Sequence, residues 1–156
     1  MIRKSVGAIV FQNDKFLIVH KTKINTKLGK ETIQGEWDII KGGVKESDSS
    51  YRNSIVREIE EETGSRNYKI IKQFDEKMCF EFSSVIKEKI GFERQVTTLF
   101  LVEYLGDINS LKSLDNEISD IKFVTKDLLI DKLTHKDTIE FFMKHILMEV
   151  TINEIL

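Results

Sequence analysis

The segment Arg57-Glu58-Ile59-Glu60-Glu61-Glu62-Thr63-Gly64 concentrates four carboxylates within a single short stretch. On a helix turning about 100° per residue, Glu58 and Glu62 stand nearly in line and Glu61 lies round the same flank. Like charges at i,i+3 and i,i+4 cost about 0.2–0.5 kcal/mol per pair. Acids in a last turn also oppose the helix dipole, by about 0.3–1 kcal/mol each. Folding alone gives no reason for this placement, whereas a bound divalent cation turns it into a site. The plain alternative for a charge run is a solvated helix face. Residues upstream favour the site. The apolar segment Trp37-Asp38-Ile39-Ile40-Lys41 ends at Gly42-Gly43, which reads as a strand closing in a Gly-Gly turn whose backbone can approach a ligand without Cβ interference. Carboxylate and carbonyl oxygens are hard ligands, suited to Mg²⁺ or Mn²⁺ rather than zinc.

Between glycines and acids lies a helix start. Ser47, Asp48 and Ser49 are each candidate caps, Gly64 supplies a left-handed stop, and Ile55, Val56 and Ile59 form the apolar stripe that binds the helix to a core. Together these residues resemble the signature of the Nudix hydrolases: Gly, five residues, Glu, seven residues, then Arg-Glu-apolar-x-Glu-Glu-x-Gly-apolar. Gly43, Arg57, Glu58, Ile59, Glu61, Glu62 and Gly64 fall on its positions. Four positions depart from it. Ser49 stands at the first Glu, Ser65 at the closing apolar residue, Asp48 at the Gly that commonly precedes that Glu, and Ile40 at the Pro often found before Gly-Gly.

The resemblance implies an α/β (α+β) fold: the Nudix-type α/β/α sandwich with a central mixed β-sheet, a signature loop-helix-loop and a C-terminal helix. It implies Mg²⁺, with Mn²⁺ as substitute, held by Glu58, Glu61, Glu62 and the carbonyl of Gly42, with Arg57 orienting Glu58. The implied reaction is hydrolysis of a diphosphate linkage in a nucleoside diphosphate derivative. Ser49 is expected to weaken the outer surroundings of the metal while the principal ligands remain, so turnover is expected over a binding module of the same fold. A second stretch, Asn116-Glu117-Ile118-Ser119-Asp120-Ile121-Lys122-Phe123, resembles the family's loop in which a glutamate precedes by six residues an aromatic that begins the last strand. Glu117 takes that place. In relatives this carboxylate completes the metal site or takes a proton from the attacking water, and which acid is the base stays open.

Several residues are candidates for the substrate. Lys21 to Glu36 is a polar connection carrying Lys21, Lys23, Lys27 and Lys30. It reads either as a solvated flexible loop or as a phosphate clamp or lid. His20 and Lys21, at the end of the second strand, are placed to meet the phosphates of a nucleoside triphosphate, as in MutT-like members. Trp37 to Gly43 is similar to the Trp-x-x-Pro-Lys-Gly segment of dinucleoside polyphosphate hydrolases, which adds Trp37 and Lys41. Trp37, Phe80 or Phe82 can stack a base, although aromatics in strands more often fill cores. A nucleoside triphosphate is the first expectation, with a dinucleoside polyphosphate or an RNA 5′ end as alternatives.

The elements that must position these residues follow from patterning. Ser5 to Gln12 and Lys15 to His20 are apolar, β-branched runs around Asn13-Asp14, a hairpin. Asn67 to Phe74, Lys77 to Ser83 and Gln95 to Tyr104 read as strands, and Thr125 opens a short helix. His135 to Ile155 reads as a helix whose stripe of Ile139, Phe142, Met143, Ile146 and Val150 faces the core. At 156 residues the chain predicts a single domain over 1–156, burying about two-thirds of its unfolded surface. With 24 basic and 26 acidic residues and a formal charge of -2, the chain as a whole has no long-range pull on nucleic acid or an anionic membrane. The lone Cys79 forms no internal disulfide, which fits a reducing cytoplasm. No run approaches the roughly 20 apolar residues of a membrane span. Oligomeric state is left open.

Overall fold

The computed structural model describes residues 1–114 and 116–148. β1 (Ile2–Gln12) and β2 (Lys15–Thr26) form a hairpin closed by Asn13, which takes φ 55. They stay paired only at Phe11↔Phe16 and Gln12↔Lys15. Beyond that point β1 pairs with β4 (Ile40–Gly43) and β2 with β3 (Gly29–Asp38), while β8 (Ile118–Thr125) pairs with β2 from Lys15 onward. On its other edge β1 runs parallel to β7 (Arg94–Tyr104), which carries β5 (Tyr68–Gln73) and β6 (Met78–Glu81) antiparallel. The result is a mixed sheet of eight strands. The helices are α1 (Tyr51–Thr63), α2 (Ser84–Ile90), α3 (Lys126–Lys132) and α4 (Lys136–Phe142), the last running into a wide turn at Met143–Leu147. None of the described helices is long and apolar enough to cross a membrane.

Alternation along the strands builds two cores. Val6, Ala8 and Val10 of β1 and Leu17 and Val19 of β2 pack with Ile55 and Ile59 of α1. The intervening Ile9 and Ile18 face the other way, onto Leu129, Leu133, Phe141, Phe142 and Ile146. Helices therefore cover both faces of the sheet, as the α/β/α sandwich requires.

Four local expectations are corrected. The polar connection from Lys21 to Glu36 is a paired hairpin, not a flexible loop: Thr22, Ile24, Thr26 and Thr32 supply a strand pattern that the lysines obscure, and Thr26 pairs with Gly29. Leu28 at its tip is fully exposed. Gly42-Gly43 is not a turn but the end of β4, paired with Val6 and Ser5. Val56 is exposed, because one step beyond Ile55 rotates it off the stripe that Ile55 and Ile59 share. Met143 is likewise exposed, since the wide turn that begins there shifts the helix register and Phe141 is buried instead. Val150 lies outside the described residues.

Candidate active site

The α1 helix starts after Ser50, whose Oγ accepts from Asn53 N at 3.1 Å; the cap is thus one residue past the three candidates read from sequence. It ends at Gly64, with φ 70, where a side chain would meet the Lys112 carbonyl at 2.5 Å. No basic residue sits in its last turn, so the acids there rely on cations outside that turn. Arg57 is the main one. Its Nη1 donates to Glu58 (2.8 Å) and reaches Glu61 (3.4 Å), and its Nη2 donates to the Gly43 carbonyl (3.0 Å). Asp48 takes the remaining fork, accepting from Nε (3.1 Å) and Nη2 (2.8 Å). Hydrogen bonding from Arg57 holds the Asp48 carboxyl well below the usual carboxylate range, and the same bond raises the arginine.

Glu58 and Glu62 are buried and Glu61 half-exposed. The Glu58 carboxylate occupies the space a side chain at Gly42 would need: a Cβ there would lie 1.9 Å from Glu58 Cδ. Burial pushes the Glu58 pKa up, and the hydrogen bond from Arg57 only partly opposes this. The Gly42 carbonyl accepts from Ser5 Oγ (3.0 Å) and belongs to the β1–β4 ladder, where Gly42 pairs with Val6.

Lys21 continues the β2 face of Leu17 and Val19. Burial works to lower its pKa, but the fields of Glu62, Asp38, Glu117 and Glu58 outweigh it, so the ammonium is held charged. Glu117 lies just before β8, 3.5 Å from Lys30. Arg3, which sequence reading leaves aside, stands over Gly43; burial lowers its pKa against the pull of Glu58 and Glu117. Its only early sign is a cation in an apolar strand. Lys23 is half-buried opposite Thr32, past an irregularity in the β2–β3 ladder.

The structure does not bring the other candidates to the glutamates. His20 contacts Ser119 Oγ (2.7 Å) and the Trp37 ring (4.8 Å between centroids). Trp37 packs against the core under α3 and α4, with the ammonium groups of Lys122 and Lys132 each 5.3 Å from its ring. Lys41 donates to Thr138 of α4 (2.7 Å) and pairs with Asp38 (3.2 Å). All three belong to the sheet face opposite α1.

The sequence profile of the NUDIX domain matches residues 1–147. The chain belongs to the Nudix family. It is 27% identical over 151 residues to the RNA pyrophosphohydrolase of Nitratiruptor sp., covering 91% of this chain and 94% of that one. It is 26% identical over 101 residues to RNA pyrophosphohydrolases of Campylobacter jejuni, where the match spans 64% of this chain and 64% of the relative's length. Among solved structures, the E. coli dihydroneopterin triphosphate pyrophosphohydrolase superposes with a TM-score of 0.69 at 13% identity, over 92% of this chain and 94% of that one, and so shares the fold.

Nudix hydrolases generally use divalent metal ions. Among the described residues, no three His, Cys, Asp or Glu side chains are already gathered as a metal cluster. Arg57 bonds Glu58 and reaches Glu61 there. The donor set nevertheless fits a hard divalent cation. Every donor is oxygen, and the Gly42 cradle keeps the Glu58 carboxylate against the strand that carries the backbone carbonyl.

Proposed function

We propose that this chain hydrolyses a diphosphate linkage in a nucleotide, with Mg²⁺ as cofactor and Mn²⁺ as substitute. The observation that carries the reading is the Glu58 carboxylate lodged in the side-chain space of Gly42 and tied to Arg57. Glu58, Glu61, Glu62 and the Gly42 carbonyl would hold the metal, which supplies the positive charge that offsets phosphate oxygens and eases ionisation of the attacking water. Arg57 is a positioning residue: it spans Glu58 and the Gly43 carbonyl and keeps acid and glycine strand in fixed relation. Lys21 supplies a cation beside the acids, suited to a phosphate oxygen. Glu117, on the loop before β8, would accept the proton released from water, in competition with a signature glutamate.

A nucleoside triphosphate is the first substrate. A second reading, an RNA 5′-triphosphate end, is supported by the names of the relatives and by the exposed Lys27 and Lys30 on the β2–β3 hairpin. His20, Lys23, Trp37 and Lys41 remain substrate candidates only if the nucleotide extends past the edge of the sheet to reach them. The test is phosphate or pyrophosphate release, with Mg²⁺, from nucleoside triphosphates, dinucleoside polyphosphates and triphosphorylated RNA, comparing the native chain with Glu62→Gln. Metal-dependent release that the substitution abolishes is expected. Equal turnover by both would refute the assignment.

A further inference from the structure

The loop before α1 holds a carboxylate where the signature does not ask for one. Asp48 engages Arg57 at two points, Oδ1 with Nε (3.1 Å) and Oδ2 with Nη2 (2.8 Å), and this two-point grip leaves Nη1 directed at Glu58. Asp48 is itself fixed: its Oδ2 also accepts from Lys45 N and Ser54 Oγ, both at 2.8 Å, and its side chain is only 7% exposed. Ser49, which stands at the signature Glu position, accepts from the Asn53 side-chain amide.

We propose that Asp48 is the positioning residue for Arg57, supplying from position 48 the carboxylate that the signature carries at position 49. The proposal rests on the functional reading above. A two-point carboxylate–guanidinium contact fixes the plane of the arginine as well as its place. Removing it frees Arg57 to rotate, and Glu58 and the Gly43 carbonyl lose their common tie. The apparent defect at Ser49 is thereby compensated by the neighbouring departure at Asp48, so the chain keeps an intact support for its metal-binding acid.

Asp48→Ala, Ser49→Glu and the double substitution test this with two readouts. In the metal-free native protein, the Arg57 Nε–H signal in NMR is expected to be protected from solvent exchange. It should exchange fast in Asp48→Ala and be protected again in the double variant. Mn²⁺ affinity, measured where circular dichroism shows every variant folded, should fall by about 10–100-fold in Asp48→Ala and recover in the double variant. Asp48→Asn, which keeps the shape but loses the charge, gives the same comparison if Asp48→Ala does not fold. Unchanged Arg57 protection and Mn²⁺ affinity in Asp48→Ala would overturn the proposal, as would failure of Ser49→Glu to restore them. If the native chain bound no Mn²⁺ and cleaved no nucleotide, the functional reading would fall, while the Arg57 signal would still judge Asp48.

Discussion

Gly42→Ala should separate catalysis from stability. The new Cβ would sit 1.9 Å from Glu58 Cδ and 2.2 Å from both carboxylate oxygens, whereas ordinary contact begins at 3.4 Å, so the carboxylate must retreat by 1.5 Å. The atoms displaced are the far end of a flexible side chain, and Gly42 lies in a strand without a positive φ. The fold should therefore yield at about 1 kcal/mol, the low end for overpacking, lowering Tm by about 2–4 °C. Displacing a catalytic group by about 1 Å costs on the order of 100-fold, or about 2.7 kcal/mol of transition-state stabilisation. The assay is kcat/KM for a nucleoside triphosphate with Mg²⁺, paired with calorimetric Tm. Gly43→Ala is the internal comparison. Its Cβ meets Arg3 Nη2 at 2.9 Å, a shortfall of 0.5 Å from ordinary contact, and its loss should be much smaller. If Gly42→Ala kept activity within about threefold of native, the carboxylate beside Gly42 would not be where the chemistry is positioned.

Three other expectations follow from the same geometry. Lys21→Met leaves the fields of Glu62, Asp38, Glu117 and Glu58 without their buried counter-charge; kcat/KM should drop by about 100-fold, and an unchanged value would remove Lys21 from the site. Asp48 is held below its ordinary value of 3.8 chiefly by the bond from Arg57, so its stabilisation is complete above about pH 5 and is lost as pH falls through 3.8 toward its lower folded value. The Tm difference between native and Asp48→Asn should accordingly shrink as the solution is acidified, and a gap that widened would contradict this sign. Replacing Lys27 and Lys30 by Gln should flatten the salt dependence of RNA binding by about two log units per log unit of salt at most and leave turnover of free nucleotides alone; equal effects on both would argue against an RNA track on the hairpin.

The signature was legible because its spacing binds three constraints together: a helical period that aligns Glu58 with Glu62, a glycine stop at Gly64, and a glycine strand end at Gly42-Gly43. The two-sided sheet was legible from alternation in β1 and β2. What the sequence pattern does not carry is direction rather than type. Adjacent strand residues point to opposite faces, so His20 and Lys21 are neighbours in sequence and separated by the whole sheet in space. Trp37 and Lys41 share the face of His20 for the same reason. The hairpin from Lys21 to Glu36 was hidden because its polar alternation matches a solvated edge as well as a loop. Asp48 reaches Arg57 across the start of α1 and Arg3 reaches Gly43 from another strand, and no local pattern records such contacts.

The central claim is that the acids ending α1 hold a divalent cation beside Gly42. A crystal soaked in Mn²⁺ and measured at the manganese edge tests it directly: an anomalous peak bounded by Glu58, Glu62 and the Gly42 carbonyl is the expected result. Manganese bound only elsewhere, with Glu58 still closed on Arg57 while the crystalline protein turns over substrate, would contradict it.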